Sequence, residues 1–112
     1  MFISYLFALL TLARTTTAYS ISTRPVVVAG ATGYIGRAVV KELVRRGIPT
    51  CALIRPQSIS SISDITLSYL SGATITPCNP LDFEETEEVI RRIQPASIIC
   101  CLASRNGLGI FL

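Results

Sequence analysis

The rhythm of apolar and polar positions changes several times along the chain. Phe2 to Ala13 is almost wholly apolar, too short to span a bilayer comfortably and of the length of a signal-peptide core. Pro25 to Ala29 is a second unbroken apolar run, as expected of a strand buried on both faces of a parallel sheet. Beyond a glycine-rich turn, Ile35, Ala38, Val39, Leu43 and Val44 recur at the helical period, and Arg45-Arg46-Gly47 supplies a basic end and a C-terminal cap. Thr50 to Ile54 reads as a second strand. In 56–70, Ile59, Ile62, Ile65 and Tyr69 keep helical spacing among many serines, which predicts a short, poorly held helix. Ala73 to Thr76 reads as a third strand stopped by Pro77, which suits a sheet edge. Asp82 and Glu85 have capping-box spacing for a helix running to about Gln94. Its expected apolar face is Phe83, Val89, Ile90 and Ile93, and Pro95 ends it. Ala96 to Leu102 reads as a fourth, buried strand, although Ile98, Ile99 and Cys100 are expected to line an open, apolar edge where the sheet stops at strand four.

Strands and helices therefore alternate, β-α-β-α-β-α-β. Right-handed crossovers then give a parallel sheet in the order 3-2-1-4, the N-terminal half of a doubly wound, Rossmann-type α/β fold. With 112 residues the chain is long enough for one small domain. The expected organisation is a signal peptide over 1–18, a short transit-peptide-like linker over 19–24, and an incomplete NAD(P)-binding domain over 25–112. The first apolar run has a second reading, a buried opening helix. Against it stands Thr15-Thr16-Thr17, a poor helix, while Thr16-Thr17-Ala18 offers small residues for cleavage.

The chemistry centres on the turn between the first strand and the first helix. Gly30, Ala31, Thr32, Gly33, Tyr34, Ile35 and Gly36 form a G-x-x-G-x-x-G pattern at the C-terminal end of a strand and the start of a helix. Gly30 permits a sharp turn, Gly33 lets a pyrophosphate approach the backbone, and Gly36 lets the helix pack tightly. Free N–H groups at the helix start suit the phosphates. The second strand ends in Arg55, where an acid would bind the ribose hydroxyls of NAD. A guanidinium there suits the 2′-phosphate of NADPH, the expected cofactor, or else is a solvated surface cation. Arg37 either assists or faces water. Asn79, after the third strand, either accepts from the adenine amine through its amide oxygen or is a turn residue before Pro80.

Composition narrows the alternatives. The net charge is +3 and the basic residues are scattered. No basic stripe with interleaved aromatics is present, so nucleic acid is not an expected partner. Without histidine, no metal site is expected. Cys51, Cys78, Cys100 and Cys101 form no C-x-x-C pair and mostly sit in apolar strand-like runs, which favours free thiols in a reducing compartment. No stable membrane span is expected.

Three patterns carry a resemblance. Gly30-Ala31-Thr32-Gly33-Tyr34-Ile35-Gly36-Arg37, the strand end Leu53-Ile54-Arg55-Pro56, and above all Cys101-Leu102-Ala103-Ser104-Arg105-Asn106-Gly107 resemble the divinyl chlorophyllide a 8-vinyl reductases. These are plastid enzymes of the atypical, NmrA-like short-chain dehydrogenase class, and the likeness covers about Pro25 to Gly107. It implies NADPH binding and reduction of the 8-vinyl group of a chlorophyll precursor to ethyl, without the Tyr-x-x-x-Lys pair of ordinary members. It further implies cofactor contact by Ala103 and Ser104, with Ser104 and Arg105 either catalytic or fixing a loop. The family's downstream substrate region is not recognisable after Gly107, so a chlorophyllide-type substrate is expected only for a full-length form, and the 112 residues are expected to be inactive alone.

The same likeness implies a plastid, reached through signal and transit peptides. Ala18-Tyr19 resembles the junction in bipartite presequences of algae with secondary plastids, and no acid precedes Glu42. The secretory pathway is the alternative destination. Other functions compatible with the motifs are a different NADP-dependent atypical reductase and a non-catalytic NADP binder or redox sensor.

Overall fold

A computed structural model describes residues 23–102. The expected signal peptide and the Ala103–Gly107 end of the family motif lie outside the described residues. Four strands, β1 (Val26–Ala29), β2 (Thr50–Ile54), β3 (Thr74–Pro77) and β4 (Ser97–Cys100), form one sheet. Every pairing is parallel and the order is β3-β2-β1-β4, as the alternating pattern predicts. The connecting helices are α1 (Tyr34–Arg45), α2 (Pro56–Ile59), α3 (Asp64–Leu70) and α4 (Phe83–Ile93). Among the described residues no helix is long and apolar enough to cross a membrane.

The continuous apolar runs of β1 and β2 follow from burial on both faces. Val27, Ala29, Cys51 and Leu53 point to one side, where they meet Cys78 and, from α4, Val89, Ile90 and Ile93. Val28, Ala52 and Ile54 point to the other, against Val40 of α1 and Leu70 of α3. The two edge strands have mostly exposed side chains. The expectation that the fourth strand is buried therefore fails. Ile98 is 51% exposed, because β4 has β1 on one side only and α4 does not reach over it.

Three further expectations change. Residues 56–70 form two helices, broken over 60–63, where Ser63 caps α3 by accepting from the Thr66 N–H (3.2 Å). The inward face of α1 is Gly36 and Val40, with Val39, Leu43 and Val44 half-buried, while Ile35 and Ala38 are exposed. The helix is turned this way because Gly36 lies directly on the Gly30 carbonyl, where any Cβ would collide. On α4, Phe83 is 84% exposed, since the first turn stands clear of the sheet. Asp82 caps that helix by accepting from the Glu85 N–H (3.1 Å). The Asp82 N–H, which Glu85 was expected to bond, donates to the Asn79 carbonyl instead.

Arg24, within the stretch expected as a linker, is tied to the fold. Its guanidinium donates to the carbonyls of Gln94 (3.0 Å) and Pro95 (2.9 Å), where α4 ends with Gln94 in the left-handed region at φ 49.

Candidate functional site

The C-terminal ends of β1, β2 and β3 border a cleft of about 310 Å³. Ala29 and Gly30 form one side, Leu53, Ile54 and Arg55 the next, and Cys78, Pro80 and Leu81 the third. In a doubly wound sheet, ligands bind at this end of the strands, beside the first helix.

Gly30 and Gly36 are explained by the protein's own backbone. Gly30 has φ +76, and a Cβ on it would lie 2.8 Å from the Cys101 carbonyl carbon and oxygen. Gly36 is held against Gly30. Gly33 is different. Its φ is −74, open to any residue, and a Cβ there would meet only the Gly30 oxygen, at an ordinary 3.5 Å. Nothing among the described residues requires glycine at this position, and the space beside it is open.

Gly33 is also the N-cap of α1. No side chain caps this helix and its first turn carries no acid. The contrast with α3 and α4 is direct, for both have a side-chain cap and acids in the first turn. The first amides of α1 are thus left with a partial positive charge and no anionic partner in the described chain.

The expected site residues separate into those on the cleft and those engaged elsewhere. Thr32 and Arg55 line it with Gly30. Ala31 is fully buried under the turn, whereas Tyr34 and Ile35 are 85% and 72% exposed. Arg37 neither lines the cleft nor stands free in water. Its guanidinium lies 4.7 Å from the Tyr34 ring centre and 4.9 Å from that of Tyr69, and it donates to Thr66 Oγ1 (3.3 Å). Lys41 covers the same Tyr69 ring at 4.8 Å. Asn79 shows the turn geometry, its Oδ1 accepting from the Leu81 N–H at 3.1 Å. Ala103 and Ser104 lie outside the described residues.

Sequence reasoning missed Ser58, which lines the cleft one helical turn beyond Arg55. Its spacing from Arg55 was visible, but serines are so common in 56–63 that none stood out. Pro80 and Leu81, given no role from sequence, form a wall of the cleft.

Residues 22–106 match the NmrA-like family. The chain is similar to the chloroplastic divinyl chlorophyllide a 8-vinyl-reductase of Arabidopsis thaliana, 39% identical over an alignment of 87 residues, with 73% of this chain and 21% of that protein covered. It is also similar to a bifunctional pinoresinol-lariciresinol reductase of Thuja plicata, at 27% identity, covering 74% of this chain and 27% of the relative. The chain thus spans between a fifth and about a quarter of the length of these relatives. Among solved structures, the UDP-glucose 4-epimerase of Thermotoga maritima superposes with a TM-score of 0.58 at 23% identity, over 77% of this chain and 26% of the other.

Proposed function

The chain belongs to the NmrA-like family, and from that premise we propose that residues 25–112 hold NADPH for the reduction of a chlorophyllide-type 8-vinyl group to ethyl. The observation that carries the cofactor reading is Gly33. A glycine that no atom of the described residues requires, at the uncapped start of α1, fits a pyrophosphate lying against the backbone. The residues present fit the group in other respects. Gly30 brings β1 into the turn, Ala31 packs beneath it, and Thr32 and Arg55 face the cleft. Tyr34, Ile35 and Gly36 contribute backbone N–H groups.

Arg55 sets the choice of dinucleotide. It lies at the end of β2 beside the cleft, and among the described residues no carboxylate lines that cleft to bind the two hydroxyls of an unphosphorylated ribose. Bound there, NADPH would supply hydride. The chain's own contribution is to orient the adenosine half and hold the phosphates. Arg37 is engaged by Thr66 and two tyrosines, so in this reading it shapes the rim rather than touching phosphate. Ala103 and Ser104 would complete the site beyond β4.

The reduction itself is proposed for a protein of the relatives' full length, and the plastid as its destination, by analogy with the chloroplastic relatives. The match to a pinoresinol-lariciresinol reductase favours a second reading, another NADP-dependent atypical reductase using the same cofactor half.

The test is Arg55→Asp. The unsubstituted chain is expected to bind NADPH more tightly than NADH in a titration, and the variant to lose or reverse that preference through repulsion of the 2′-phosphate. A ratio of dissociation constants untouched by the substitution would refute the role of Arg55.

A further inference from the structure

The polar lining of the cleft is sparse. Apart from the thiol of Cys78, its side chains able to hydrogen-bond are Thr32, Arg55 and Ser58. None of the three spends its side chain within the described chain. The Arg55 guanidinium and the hydroxyls of Thr32 and Ser58 have no hydrogen-bond partner among the described residues. By contrast, Arg37 and Asn79, two further polar side chains expected at this site, both make internal bonds.

Arg55 and Ser58 are coupled by the backbone. The Ser58 N–H donates to the Arg55 carbonyl at 2.9 Å, which closes one turn and brings positions i and i+3 to the same side. Both side chains are half-buried, and both reach the cleft. Arg55 carries the charge and the planar donors. Ser58 adds a short, neutral donor whose position is set by its own backbone bond. A phosphate monoester, with three outer oxygens, can take both at once.

We infer that Ser58 is a second specificity-determining contact, donating with Arg55 to a phosphate monoester on the ribose of the bound nucleotide. The inference rests on the NADPH reading and extends it to a residue outside the glycine turn. Arg55 alone would distinguish a charged from an uncharged ribose. The added hydroxyl makes the site select by the geometry of the phosphate as well as by its charge.

The probes are adenosine 2′,5′-bisphosphate and 5′-AMP, titrated calorimetrically into the 112-residue chain. They differ only in the ribose phosphate and do not depend on a nicotinamide pocket. The unsubstituted chain is expected to prefer the bisphosphate. Ser58→Ala should weaken the bisphosphate by about tenfold, the usual scale for one hydrogen bond to a charged group, and leave 5′-AMP unchanged. Ser58→Thr, which keeps a hydroxyl, should retain most of the preference. Equal weakening of both ligands by Ser58→Ala would show a merely structural role and overturn the inference. So would an unchanged preference, while leaving the cofactor reading standing. Failure of the unsubstituted chain to bind either probe would instead remove the cofactor reading, and this inference with it.

Discussion

At the residue scale, the three glycines of the first turn have three different reasons to be there, and substitution separates them. Gly36→Ala pushes a methyl into the Gly30 carbonyl. Backbone cannot yield as a side chain tip can, so a loss of about 1–3 kcal/mol of stability is expected. Gly33→Ala meets no such obstacle, since φ is −74 and the contact is ordinary. Its stability should stay within about 0.5 kcal/mol of the parent, because surface changes away from special geometry usually do. Its nucleotide affinity should nonetheless fall at least tenfold if the open space is where a pyrophosphate lies. Thermal unfolding and a nucleotide titration on the same two variants check both halves. A Gly33→Ala chain that binds as well as its parent would show that the space serves no ligand.

At the scale of elements, what could be read from sequence followed how each element is buried. The runs over β1 and β2 were legible because each is apolar on both faces, and the strand order followed from handedness once the alternation was seen. The orientation of α1 was not. Periodicity weighs apolar side chains, and Ile35 looked like the anchor. The true anchor is Gly36, which has no side chain to weigh and is inward because of a backbone-to-backbone contact. Arg37 was undecidable for a similar reason. Its partners Thr66 and Tyr69 come from α3, and nothing local shows that α3 crosses α1 at that point. The fourth strand was legible only in part, since an open, apolar edge was expected there but so was burial. β4 reads as core from its Ile-Ile-Cys run, yet Ile98 is half in solvent on the side that α4 leaves bare. An exposed apolar edge is a template for pairing between molecules. Ile98→Lys should therefore lower the light scattering of the heated chain while costing less than about 1 kcal/mol of stability, as an exposed position allows. Scattering equal to the parent's would place the sticky surface elsewhere.

At the scale of the whole molecule, the residues from Val26 on and those before Arg24 differ in composition. From Val26 on, acids and bases are placed by structure. Glu42, held by hydrogen bonds from Arg45 and Arg46, has its pKa lowered to about 2, and α4 begins with Glu84-Glu85 and ends with Arg91-Arg92. Before Arg24, the sequence has an almost wholly apolar run, then a hydroxyl-rich one, and no acid appears until Glu42. In the proposed presequence, this is the composition that membrane-translocation and import machinery would read. If the proposal of a bipartite presequence is right, the two parts act in order. The apolar core brings the chain into the first membrane, and the Ser- and Arg-bearing stretch then directs it onward. A fluorescent reporter fused to residues 1–40 should then collect in the plastid of an alga with secondary plastids, and deletion of residues 2–13 should leave it in the cytosol. The deletion keeps Arg24 and every hydroxyl residue from Thr15 onward, so its effect isolates the apolar core. Plastid import that survived it would mean the hydroxyl-rich stretch suffices, and the two-step route would be wrong.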